Sequence, residues 1–367
     1  MVYDLKKRVL DYFNDVNIKC YQSNRFCLDV VHLDSYQDLD EQYMPNKIWE
    51  KGNKNKTFIN INSDIKFDLF KYFLDGSRYT YKVGEMITSS GKYMPIIAGQ
   101  VAAGISMREN GKMKKYSLLR KNLVVIYNLI NDLDYEEIKC KIEAININNV
   151  KFIVERYKGN ESVDRPENLA IAKIQSIMME LELKMISDIV KSGQLASDEM
   201  LVVDGSLQFM NKGENNEFDE RMFKNVIGIS KSFNPNLRGL FKDKTTEVAS
   251  ILTKLKFGQR TPVYKLDVAN CDKIIGAWYM RIRPEEKVRN PLDGVIKIEK
   301  VAVTEDEKMN GFDSFIIDNI SKALMEERNV TCYGSDARWC NHIYPMYLTE
   351  KMLKESFISA EYFMSLF

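Results

Sequence analysis

The order of elements between residues 67 and 209 constrains the fold most. Three apolar, strand-like segments are followed by one long amphipathic helix and then by a fourth apolar strand. The first three are FDLFKYFLDGSRYTY at 67–81, YMPIIAGQVAAGISM at 93–107 and NLVVIYNLI at 122–130. Their β-branched and aromatic residues suit a pleated surface. The helix covers about 167–190, with Pro166 near its first turn and Ile171, Ile174, Met178, Leu181, Met185, Ile186 and Ile189 among its apolar residues. The fourth strand is EMLVVDGSLQF at 199–209. A helix with an apolar stripe must bury it, and neighbouring strands offer the surface. The expectation is an α/β fold with a mixed sheet flanked by helices.

Residues 3–17 show helical spacing, and 34–60 are polar and loop-like. The stretch 133–160 alternates charged and apolar residues and reads as an inserted hairpin or as a short helix plus strand. Further strands are expected at 275–283 and 294–303, a helix at 312–328, a strand near 329–334 and a terminal helix over about 347–360. With 8 Pro and 18 Gly, nothing in the chain reads as a linker. We therefore expect a helical or irregular extension at 1–66, then one elaborated domain at 67–367, with insertions near 132–165 and 211–260.

Asp-Gly-Ser occurs twice, at Asp75 and Asp204, each time closing an apolar run. A carboxylate at the end of a buried strand is costly unless paired or bound to a metal. The following glycine lets the backbone turn and leaves room for a ligand. Two such carboxylates can converge on Mg²⁺ or Mn²⁺, which take oxygen ligands. Ordinary turns are the competing explanation, because Asp-Gly favours turns by itself. The helix between the two strands carries Glu180 and Glu182. Three and four residues from Glu182 lie Met178, Met179, Met185 and Ile186, so Glu182 falls in the apolar sector. Around Glu180 lie Ser176, Ile177, Leu183 and Lys184, and Glu180 could form an ordinary ion pair with Lys184.

Other chemistries are excluded by what the chain lacks. His32 and His342 are the only two histidines, so a His-rich metal site cannot be built within one chain. The six cysteines include no CxxC, and reduced thiols of a cytoplasmic protein are expected. Gly99-Gln-Val-Ala-Ala-Gly104-Ile-Ser106 mimics a phosphate-binding loop, but Ile105 replaces the essential lysine, so no ATP hydrolysis is expected. No signal peptide or membrane span is evident. The net charge of +1 does not exclude a basic groove. Residues 221–245 hold Arg221, Lys224, Lys231, Arg238, Lys242 and Lys244, with Phe223, Phe233 and Phe241 interspersed for base stacking. A second basic cluster is Lys112, Lys114, Lys115, Arg120 and Lys121. Solvated basic faces over core aromatics are the competing explanation.

Three strands with an Asp on the first, a helix with a Glu, then a strand ending in Asp is the order of the ribonuclease H-like fold. In that fold, carboxylates bind two metals for phosphodiester hydrolysis. The chain also resembles the NurA nucleases. The resemblance is carried in order by FLDGSR (73–78), AGQVAAGI (98–105), LVVDGSLQF (201–209), VIGISKS (226–232), FGQRTPVY (257–264), VIKIEKVAV (295–303) and IYPMYL (343–348). It implies a manganese-dependent nuclease acting on single- and double-stranded DNA. It also implies a homodimer working beside a HerA-type hexameric translocase in DNA end resection or phage defence. By the same resemblance Asp75 and Asp204 match metal-binding aspartates, and Glu182 or Glu180 matches the helix glutamate; helical geometry selects Glu182. Lys231 and Arg260 match a supporting lysine and arginine. Where the family has a histidine on the terminal helix, this chain has Lys351, which could contact a phosphate. Glu350, Asp336 or His342 would then supply the fourth site group, or the site is weakened. A non-catalytic subunit that binds DNA or the motor, and a ribonuclease H-like enzyme acting on RNA, are the alternative readings.

Overall fold

The apolar segments pair into one large mixed sheet. The computed structural model describes the chain outside residues 1–7, 16–17, 22–25, 29–42, 54–55, 63–68, 88–90, 129–131, 148, 159–164, 196–198, 209–219, 234–247, 269–272, 289, 328–329 and 331–339. In chain order the main elements are β1 (Tyr43–Ile48), β2 (Phe70–Ile87), β3 (Tyr93–Glu109), β4 (Lys112–Tyr127), α1 (Asp132–Glu143), β5 (Ile153–Tyr157) and α2 (Pro166–Lys191). Then come β6 (Met200–Asp204), β7 (Val226–Ser230), β8 (Tyr264–Val268), β9 (Ile275–Arg281), β10 (Val295–Val301), α3 (Ser314–Glu326), α4 (Tyr344–Glu355) and α5 (Ala360–Ser365). The strand order is β1-β8-β9-β10-β7-β6-β2-β3-β4-β5.

Strands β2, β3 and β4 form an antiparallel meander. On the other side of β2, β6 and β7 run parallel to it. The remaining strands toward β1 are antiparallel, and β5 closes the far edge parallel to β4. This is the expected α/β arrangement of a mixed sheet flanked by helices.

Strand β3 is buried continuously from residue 94 to 106, as befits a strand covered on both faces. Its small residues allow that cover. A Cβ on Gly99 would lie 3.0 Å from Ile174 Cδ1 of α2. A Cβ on Gly104 would lie 2.7 Å from Leu353 Cδ2 of α4. The two glycines are five residues apart in a strand and so face opposite sides. Helix α2 therefore covers one face and α4 the other. The phosphate-loop mimic lies inside this strand. Buried Gln100 clasps the chain beyond α4, donating to the Ile358 carbonyl at 3.0 Å and accepting from its N–H at 2.8 Å.

Several expectations are corrected. The first strand does not end at Asp-Gly-Ser but runs on to Ile87, because its backbone is paired through that tripeptide. The third strand starts at Lys112 rather than at 122, so the second basic cluster lies on it. Residues 133–160 take the helix-plus-strand form. The terminal helix divides into α4 and α5. The stretch 1–66, expected as helical or irregular, keeps a short helix at Asp11–Asn14 and also contributes β1 and the short strands Lys19–Tyr21, Phe26–Cys27 and Ile59–Asn60. The strand expected near 329–334 lies almost wholly outside the described residues. Among the described residues, no helix is long and apolar enough to cross a membrane.

Arg260 is also placed differently from its expected supporting role at DNA. It is fully buried. Its Nη1 and Nη2 donate to Glu50 Oε2 at 2.9 Å and Oε1 at 2.7 Å, and its Nε to Asp318 Oδ1 at 2.6 Å. The Thr261 carbonyl and Ser314 Oγ accept the rest. Burial pushes the Glu50 carboxyl up, but Arg260 outweighs it and holds the group below its ordinary range. This closed cluster ties the N-terminal region to α3 and leaves no donor for a phosphate. Arg260→Met should lower the unfolding free energy by about 3–5 kcal/mol, because Glu50 is left buried and unpaired. Urea denaturation checks this, and wild-type stability in the variant would show the cluster to be dispensable.

Candidate active site

Asp75 lies inside β2, opposite Gly104 of β3. It is 5% exposed. On the other side, Leu74 of β2 is in register with Val203 of β6. One residue further on, Asp75 and Asp204 stand side by side on parallel strands. Asp204 ends β6 as expected, and Gly205 after it adopts φ +117°, a conformation suited to glycine. The Asp75 tripeptide makes no turn, since its ladder with β3 holds it extended through Ser77. Gly76 has a different use: a Cβ there would lie 2.2 Å from Glu182 Oε1 and 2.9 Å from Glu182 Cδ. The missing side chain opens a window through which a carboxylate from α2 reaches the sheet.

Glu182 is 7% exposed, whereas Glu180 faces solvent two residues earlier on α2. The helical-face argument thus matches their placement. On the opposite face, Asp75 and its partner Gly104 look toward α4. There Glu350 bonds to Lys354 at 2.7 Å, and its Oε2 lies 3.9 Å from Nε2 of buried His342. Lys231, just past the end of β7, donates to Asp204 Oδ2 at 2.5 Å, with both side chains largely buried. The register Ile229–Asp204 explains the contact, because Lys231 shares the strand face of Ile229 one step on.

The structure therefore gathers Asp75, Glu182, Asp204, Glu350, Lys231 and His342. Lys351 is turned away, exposed and 3.8 Å from Glu355. Lys224 is exposed beside Phe223, which belongs to the core and is unavailable for stacking. Phe233 is half-buried against Tyr279, with ring centroids 5.1 Å apart. Arg238, Asp336, Phe241, Lys242 and Lys244 lie outside the described residues.

Burial, then the neighbouring charge of Asp204, raises Asp75 well above the ordinary aspartate range; Lys231 opposes this, and Glu350 and Glu182 add to it. Asp75 Oδ2 is buried without a hydrogen-bond partner. Burial and Asp204 push Glu182 to about 8. Burial works against the Lys231 ammonium, but Asp204, Asp75 and Glu350 outweigh it and raise its pKa. Burial raises Glu350, yet Lys231, Lys354 and His342 bring it below its usual range. The cluster is rich in carboxylate and poor in cation. Even so, among the described residues no three His, Cys, Asp or Glu side chains stand in a ready-made metal-binding arrangement.

Glu299 of β10 was not singled out in the sequence. Fully buried, it accepts from Ser206 Oγ at 2.8 Å, the Leu207 N–H at 2.8 Å and Gln208 Nε2 at 2.9 Å. It also pairs with Lys297 at 2.9 Å. It thereby anchors the turn after Asp204. The signal was a charged pair, Lys297 and Glu299, inside the apolar run VIKIEKVAV.

No protein-family profile matches the chain, and no curated protein sequence matches it. Among solved structures it is similar to the NurA nuclease from Sulfolobus solfataricus, with 12% identity, 85% of each chain covered and a TM-score of 0.46.

Glu182 generates a pH dependence of stability. Unfolded, it ionises near 4.5; folded, it keeps its proton to about 8. The native state holds the extra proton across that window, so stability falls as pH rises through it. Between pH 5 and 8 in EDTA, the wild type should lose about 3 kcal/mol more than Glu182→Gln. Urea unfolding at both pH values measures this; parallel losses in the two proteins would contradict it.

Proposed function

We propose that this chain is a divalent-cation-dependent nuclease that hydrolyses phosphodiester bonds in DNA. One observation carries the reading. The Asp75 carboxyl, whose buried Oδ2 has no partner, feels the nearby charges of Asp204, Glu350 and Glu182, with Lys231 opposing them. Such a cluster is costly until positive charge enters it. Its donors are carboxylate oxygens, which fit Mn²⁺ or Mg²⁺. Asp75, Asp204 and Glu182 would hold the cation, with Glu350 as the fourth group. When bound, it would supply an acidified water and neutralise charge on the phosphate.

The chain's own residues prepare this chemistry. Gly76 admits Glu182, and Glu299 holds the turn behind Asp204. His342 stands beside Glu350, and the Lys354–Glu350 pair steadies that carboxylate on α4. The meander β2–β4, the crossover helix α2 and parallel β6 and β7 beside β2 support the ribonuclease H-like refinement. The ordered NurA-like segments support manganese, a second copy of this chain and a HerA-type translocase in DNA end processing or phage defence. The exposed placement of Lys351 favours a second reading, a weakened subunit that binds DNA or the motor.

The test is incubation with labelled single-stranded DNA, duplex DNA and RNA in Mn²⁺, Mg²⁺ or EDTA. DNA should be cleaved only with the metals. Asp75→Asn, Asp204→Asn and Glu182→Gln should each lose about a thousandfold, several kcal/mol of transition-state stabilisation. Glu180→Gln should cleave at nearly the wild-type rate. Undiminished activity in Asp75→Asn or Asp204→Asn would sink the assigned site. DNA binding without cleavage would support the second reading, and cleavage of RNA alone would move the substrate class.

A further inference from the structure

The Lys231–Asp204 pair occupies the place where a cation-binding carboxylate should be free. Lys231 Nζ lies 2.5 Å from Asp204 Oδ2, and the two side chains are 13% and 12% exposed. The Lys231 backbone is pinned, since its carbonyl accepts from Asn341 Nδ2 at 2.7 Å while Asn341 Oδ1 accepts from the Gly294 N–H at 2.6 Å. Only the flexible four-carbon stem can move. Among the described residues, no three His, Cys, Asp or Glu side chains stand in a ready-made metal-binding arrangement here.

We propose that Lys231 is a built-in counter-ion, which holds Asp204 in the metal-free protein and is displaced from it when a divalent cation binds. The inference rests on the cation-dependent reading of these carboxylates. Two arguments carry it. First, Lys231 bonds to Asp204, and the nearby charges of Asp75 and Glu350 also favour its ammonium. Second, an ammonium cannot ligate a metal, and a second cation on the same carboxylate would meet it as a like charge. Lys231 and a metal therefore compete for Asp204. Cation binding must work against the ion pair, so the lysine lowers metal affinity while stabilising the empty site. The exchange needs no proton transfer.

The experiment compares DNA-free wild type with Lys231→Met by calorimetric titration with Mn²⁺ and by thermal unfolding in EDTA and in saturating Mn²⁺. The variant should melt lower in EDTA, recover in Mn²⁺ and bind Mn²⁺ about tenfold more tightly. Equal or weaker Mn²⁺ binding by the folded variant overturns displacement and leaves the cation-dependent reading standing. Absence of Mn²⁺ binding in both proteins overturns that reading and the inference with it. Should the variant not fold, wild type labelled with ¹⁵N-lysine provides the second measurement. A slowly exchanging ammonium signal in EDTA should shift as Mg²⁺ is added. A signal unchanged at saturating Mg²⁺ overturns the proposal.

Discussion

Acidic groups crowded at the junction of β2 and β6 set the terms for the structure around them. A carboxylate loses its hydration when buried, and several together repel one another as well. The fold nevertheless brings Asp75, Asp204 and Glu350 near one another and Glu182 to the opposite face behind Gly76. Its neighbourhood is built to tolerate them. Gly76 leaves space for the Glu182 head group, Lys231 supplies positive charge, and Lys354 and His342 lie against Glu350. That tolerance is incomplete, since Asp75 Oδ2 keeps no partner. That open valence is what the proposed cation would fill.

The Arg260 cluster shows what a completed network looks like in the same molecule. There Glu50 and Asp318 share one guanidinium, and its N–H groups donate to them, to Ser314 and to the Thr261 carbonyl. Glu299 is similarly satisfied by Ser206, Leu207, Gln208 and Lys297. Both networks are buried and both join distant segments. Their closure makes them structural, whereas the open valence at Asp75 suits chemistry.

Much of this was legible in the sequence. The long helix with Pro166 near its start was readable because its period and its cap agree. The choice of Glu182 over Glu180 followed from helical geometry, which depends only on spacing. The fourth strand ending at Asp204 was readable because an apolar run stops there and Gly205 permits the bend. The first Asp-Gly-Ser is expected to close its strand because its local preference is the same as that of the second. Pairing with β3 overrides that preference at Asp75, and no local signal announces it. Arg260 was misassigned because a motif position does not reveal whether carboxylates such as Glu50 and Asp318, distant in sequence, will enclose it.

By itself the sequence determined the class of fold, the acidic residues available and the face of α2 on which each glutamate lies. These depend on composition and on short periodicities that the backbone enforces locally. Only the tertiary structure decided that Gly76 is a window rather than a hinge, that Glu350 and not Lys351 faces the aspartates, and that Lys231 rests on Asp204. Each of those facts joins residues tens to hundreds of positions apart. Packing of α2 and α4 on opposite faces of one sheet settles them, because it fixes which side chains must share the same buried space.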